Sequence, residues 1–126
     1  MEFKDYAQYY IGCRCFNTWY PENHPEYDKQ WKLVSVIIGG HNPYRLDSQD
    51  GKHSYTWTDS IKPILRRLID ATPEEIGEMR LIRDSFLNRI KKYAAVTKYL
   101  TSIGIDVFEL IENGLAIDSK TLKQTV

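Results

Sequence analysis

Apolar positions along this chain follow two periods, and the change from one to the other falls near residue 70. Up to that point residues alternate by twos. The clearest case is "WKLVSVII", where Trp31, Leu33, Ser35 and Ile37 share one face and Val34, Val36 and Ile38 the other, as residues two apart do on a strand. Both faces are largely apolar, which predicts a central strand. "CRCFNTWY" alternates small or apolar with polar residues and predicts another strand. "YRLD" and "SYTWT" predict a hairpin joined through Asp50-Gly51, with Tyr55 and Trp57 on one face and Ser54, Thr56 and Thr58 on the other. "IKPIL" is β-branched but contains Pro63, which has no N–H to donate, so it belongs at a sheet edge. "PENHPEYDKQ" and "GGHNPYRLDSQDGKH" are rich in turn pairs. Ahead of all this, Phe3, Tyr6, Tyr9 and Tyr10 recur at helical spacing and predict a short helix over Glu2–Ile11, stopped by Gly12.

Beyond residue 70 the period becomes helical. Thr72 is a good N-cap, Pro73 suits the first helical position, and Glu75 three residues after Thr72 completes a capping box. Ile76, Met79, Ile82, Phe86, Leu87, Ile90, Tyr93, Ala94, Thr97 and Leu100 then keep a helical period. The simplest expectation is one long helix from Pro73 to about Thr101, stopped by Gly104; a break near Tyr93–Thr97 is the alternative. Asp106 with Glu109 resembles a second capping box and predicts a short helix in "VFELIEN", ended by Gly114. A last turn begun by Asp118 or Ser119 is a further option in the tail.

Strands segregated from helices predict an α+β fold. The expected architecture is a small, mostly antiparallel sheet with a short N-terminal helix, followed by a long helix and a short C-terminal helix. The length of 126 residues suits a single domain over 1–126, with a mainly β half (1–68) and a helical half (69–126).

Composition narrows function mainly by exclusion. Lys+Arg and Asp+Glu number 17 each, so no whole-molecule field favours nucleic acid. Residues 1–60 carry 6 basic and 8 acidic side chains, and residues 61–126 carry 11 and 9, an asymmetry too small to imply a polyanion. The start "MEFKDYAQYY" lacks an apolar h-region, and no apolar run approaches a membrane span. Cys13 and Cys15 stand two apart and are expected as reduced thiols. A metal half-site completed by His24, His41 or His53 is the weaker alternative, because zinc spacings place two or more residues between cysteines. No phosphate loop, nucleophile elbow or paired-histidine helix is present, so no catalytic residue, metal or cofactor is assigned. Asp47, Asp50 and Asp59 near His41 and His53 are better explained as turn-forming residues.

Two features favour binding. Of sixteen aromatic residues, twelve lie at or before Trp57, more than a half-domain buries with ease, so some are expected in a pocket or interface. Arg66 and Arg67 sit where an extended segment ends and a capped helix begins. There they either take a phosphate bidentately or pair with Asp70 or another carboxylate. The candidate ligand-binding set is Arg66, Arg67, Trp57, Tyr55, Tyr44, Arg45 and His41.

Three strings carry a resemblance. "IKPILRRLIDATPEE", "YLTSIGIDVFELIENGLAID" and the opening "YYIGCRC" cover about a third of the chain, and together they resemble small proteins encoded by phages and prophages of gut anaerobes. The chain departs in having Arg67 where proline is common and in a longer middle. The resemblance implies a phage setting, hence the cytoplasm of an infected bacterium, and carries over no catalytic residue. The expected function is non-enzymatic binding that counteracts host defence, by sequestering a nucleotide-type small molecule or by blocking a host defence protein. A homo-oligomer is expected with it. A nucleic-acid-binding accessory of phage DNA metabolism is the alternative, disfavoured by neutral charge.

Overall fold

The computed structural model describes residues 2–18, 23, 25, 29–37, 43–57 and 61–123, with the side chains of residues 57, 122 and 123 outside that description. Six strands form one sheet: β1 (Arg14–Asn17), β2 (Gln30–Val36), β3 (Tyr44–Ser48), β4 (Ser54–Trp57), β5 (Ile61–Leu65) and β6 (Ile117–Asp118). Their order is β4-β3-β2-β1-β5-β6. Every pairing is antiparallel except β5 with β6, which is parallel over two residues. Among the described residues the α-helices are α1 (Pro73–Arg83), α2 (Arg89–Ser102) and α3 (Ser119–Lys123). The α+β expectation therefore holds.

β2 is internal, as its two apolar faces predict, but its faces are not the ones alternation implies. The register with β3 shifts between Leu33 and Ser35. One extra residue at such a bulge reverses the parity of the residues after it. Leu33 pairs with buried Leu46, Ser35 pairs with exposed Arg45, and Val36 returns to the core opposite Tyr44. The β3–β4 hairpin forms as predicted, and Asp50 builds its turn by accepting from Ser48 Oγ at 2.6 Å and from Lys52 N–H at 2.9 Å. The edge prediction for "IKPIL" holds only in part. Pro63 pairs with Cys15 on one side, while β6 occupies the other side only from Ile64 onward.

One face of the sheet is covered. Cys15, Trp31, Leu33, Tyr44, Leu46, Ile61 and Leu65 point into a core closed by Phe3, Ala7 and Tyr10 from the N-terminus and by Leu110 and Ala116 from near the C-terminus. The N-terminal segment is two short 3-10 turns, Phe3–Asp5 and Ala7–Tyr10, and not the single α-helix that its spacing predicts. Its aromatic residues are held by tertiary contacts. The buried Tyr10 hydroxyl donates to the Ile105 carbonyl at 3.0 Å and accepts from Val107 N–H at 3.2 Å. Phe3 stacks on Tyr44 with ring centroids 5.7 Å apart.

The predicted long helix is two helices, and the break falls at 84–88, outside the Tyr93–Thr97 window. Asn88 supplies the cause: its side chain accepts from Lys91 N–H at 2.9 Å and starts α2 as an N-cap. The predicted Thr72–Glu75 capping box is present at the start of α1. Gly104 ends α2 with φ 78, and Ile105 N–H reaches back to the Leu100 carbonyl at 2.9 Å, the six-to-one bond of a glycine helix stop. "VFELIEN" is a run of turns and not a helix. Asp106 caps it from outside, accepting from Leu110 N–H and Ile111 N–H at 2.9 Å each. Glu109, the expected box partner, instead adopts φ 59, a left-handed conformation that a right-handed helix cannot pass through. Gly114 repeats the Gly104 arrangement with Leu115 N–H on the Leu110 carbonyl at 2.8 Å. The short C-terminal helix lies later, at α3, which begins at Ser119, one of the two expected starts.

Candidate functional site

The residues proposed from the sequence are not brought together. Tyr44, Arg45, Tyr55 and Trp57 belong to β3 and β4 at one end of the sheet, whereas Arg66 and Arg67 follow β5. Four strand spacings separate β4 from β5, roughly 19 Å. Tyr44 is buried in the core. Arg45 Nε donates to Ser54 Oγ at 3.0 Å on the exposed face. Tyr55 is half-exposed and packs edge-on against Trp31, with ring centroids 5.4 Å apart. Trp57 pairs with Tyr44 in the strand register. His41 lies outside the described residues, as do His24 and Asp59.

Both arginines are engaged by carboxylates. Arg66 donates from Nη1 to Glu75 Oε1 at 2.8 Å and from Nη2 to Glu75 Oε2 at 2.6 Å, and Nη2 also reaches the Ile103 carbonyl at 3.0 Å. Glu75 Oε1 accepts Thr72 N–H as well, at 2.8 Å. The Arg66 guanidinium, then the Thr72 amide, hold the Glu75 carboxyl down at about 2. One bidentate pair thus ties the start of α1 to the end of β5 and to the turn after α2. Arg67 donates from Nε to Asp118 Oδ2 at 3.0 Å and lies 3.4 Å from Glu112 Oε1 through Nη1. A phosphate at either position would have to displace a carboxylate already in place. Cys15 is a free thiol in the core and Cys13 a free thiol packed against it, and burial raises both, Cys13 to about 12. They are held as neutral thiols, which are weak nucleophiles. No group of three or more metal-ligating side chains occurs among the described residues.

The conspicuous surface lies elsewhere, on the hairpin formed by α1 and α2. No residue of α1 is buried, and α2 buries only Leu100 and Thr101, at its far end. Large apolar side chains project from the arm: Leu81 is 67% exposed, Ile90 82% and Tyr93 77%, and Phe86 in the turn is fully exposed. At the root of the arm, α2 faces the N-terminal turns across a half-open cleft of about 520 Å³, lined by Tyr9, Ile11, Tyr93, Thr97, Lys98 and Phe108 among others. Phe108 is the floor. It packs against Tyr6 and Tyr9 at 4.7 and 5.0 Å between ring centroids. Tyr9 and Tyr93 stand half or more exposed at its rim. No described helix is long and apolar enough to cross a membrane.

The helical period that Ile90 and Tyr93 keep reports that one face is apolar without reporting what covers it. Local charge is the sequence signal that marks this region: residues 80–98 hold six Lys or Arg and a single Asp.

In comparison with known proteins, no family model, no curated protein and no solved structure matches this chain.

Proposed function

We propose that this chain is a non-enzymatic binding protein of phage origin that counters host defence by docking on a defence protein through the face of the α1–α2 arm. The observation that carries the reading is the uncovered apolar surface of that arm, from Phe86 through Ile90 and Tyr93 to Tyr9 and Ile11 at its root. Single exposed apolar residues are ordinary, but several large ones gathered on one arm and its root are a mark of an interaction surface. The arm is also held firmly at its base, by Arg66 and Glu75, so the face is presented on a fixed support. The phage setting rests on the resemblance carried by "IKPILRRLIDATPEE" and "GIDVFELIENGLAID".

A plaque assay tests this reading. The protein is expressed in bacteria carrying a panel of defence systems and challenged with a phage that each system restricts. Wild type should restore plaques against at least one system, and a folded Ile90→Asp variant should not. Restoration by both proteins alike, or by neither across the panel, would sink the proposal.

A second reading keeps the nucleotide-type ligand. Tyr9 and Tyr93 flank the root cleft with Lys98 beside them, and exposed aromatic rings suit a planar base. A rise in melting temperature with a cyclic nucleotide or an ADP-ribose derivative, lost in Tyr93→Ala, would move the function to this cleft.

A further inference from the structure

We infer that the partner segment seated on the α2 face is an amphipathic helix whose apolar row is flanked by carboxylates; this rests on the docking reading above and assigns the chemistry of its occupant. Charge along this stretch of the chain is unbalanced. The chain is neutral overall, yet residues 80–98 carry Arg80, Arg83, Arg89, Lys91, Lys92 and Lys98 against Asp84 alone, a net charge of +5. Among the described residues only Arg83 of these six has an ion pair, with Asp84 at 3.5 Å on the exposed surface. The remaining cations have no carboxylate partner within the described chain, so an incoming acid would compete with none.

Geometry arranges these charges about an apolar strip. Ile90, Tyr93, Ala94 and Thr97 fall within an arc of about 100° on α2. Lys91 and Lys98 border the arc on one side and Arg89 on the other. The strip spans Ile90 to Thr97, about 10 Å along α2, the reach of about two turns of a partner helix. It then descends into the concave root cleft beside Tyr9 and Ile11. An apolar row with basic edges is complemented by an apolar row with acidic edges, the helix-in-groove mode.

The same features disfavour the other occupants. A bilayer surface cannot fill a cleft of about 520 Å³. A nucleic-acid backbone would satisfy the cations but leave Ile90 and Phe86 in water. A second copy presenting this same face would bring like charges together.

The test measures binding of the full chain to four probes. They are a helical peptide of about 16 residues with a leucine row flanked by glutamates, the same peptide flanked by lysines, phosphatidylglycerol vesicles, and duplex DNA. The expected result is binding of the glutamate peptide alone, weakened about tenfold between low and physiological salt. A combined Lys91→Glu and Lys98→Glu variant should lose about tenfold in affinity while keeping its circular dichroism. Equal binding of both peptides, or binding insensitive to salt, would overturn the acidic partner and leave the docking reading standing. Binding of vesicles or DNA alone would overturn both. Failure of every probe overturns the acidic helix, and the plaque assay then judges docking separately.

Discussion

The covered face of the sheet and the α1–α2 arm are built from similar apolar residues to opposite effect. In the first, Leu33, Leu46, Leu65 and Leu110 have no exposed surface to speak of, and the Tyr10 hydroxyl satisfies two backbone groups at once. In the second, Leu81, Phe86, Ile90 and Tyr93 face water. The core residues stabilise the fold; the arm residues lower its free energy only when something covers them. Apolar character alone therefore does not separate structure from function in this chain. What separates them is whether the fold supplies a partner.

That contrast can be broken by experiment. The largest effect is expected at the core. Leu65→Ala should cost about 2–5 kcal/mol in a denaturant titration, since Leu65 is fully buried and its loss leaves a cavity. A cost below about 1 kcal/mol would mean that the sheet face is looser than described.

An intermediate effect is expected at the junction between the two regions. Glu75→Gln removes the charge and one acceptor of the bidentate pair while leaving an amide oxygen for the capping box, and should cost about 1 kcal/mol. Its pH dependence is the sharper readout. The folded Glu75 carboxyl is held down at about 2, below its ordinary value of 4.5. The folded chain therefore binds that proton less readily than the unfolded chain, and protonation favours unfolding. The contribution is complete above about 4.5 and is lost as pH falls toward about 2. The stability difference between wild type and Glu75→Gln should shrink over that window. A difference constant with pH would show that the Arg66 pair does not form in solution.

The smallest effect on stability, and the largest contrast with the core, is expected on the arm. Ile90→Ser should change stability by no more than about 0.5 kcal/mol, because Ile90 is largely exposed. A loss of several kcal/mol would show that the arm packs against a surface of its own chain, and would remove the basis for a docking face.

Much of the fold was legible in the sequence because it depends on local chemistry. The Thr72–Pro73–Glu75 helix start, the Asp50-Gly51 hairpin and the glycine stops at 104 and 114 each arise from bonds between residues a few positions apart. Features were not legible where a competing pattern hid a local bond or where the partner lies far along the chain. The break at Asn88 was masked by an apolar period that continues through it. The Glu109 backbone was masked by a capping-box spacing that Asp106 uses differently. Arg66 and Arg67 illustrate the same limit: their side chains were expected at a phosphate or a carboxylate, and only the arrival of α1 and β6 placed Glu75 and Asp118 beside them.

By itself, then, the sequence determined the elements that nearest neighbours dictate: strands in the first half, capped helices in the second, and a local excess of positive charge over residues 80–98. Tertiary structure decided which apolar faces meet. It closed the sheet with segments from both ends of the chain, because burial there satisfies the Tyr10 hydroxyl and the backbone at 105–107. It left α2 half uncovered: α1 packs along it, while the N-terminal turns reach only its later turns and leave a cleft.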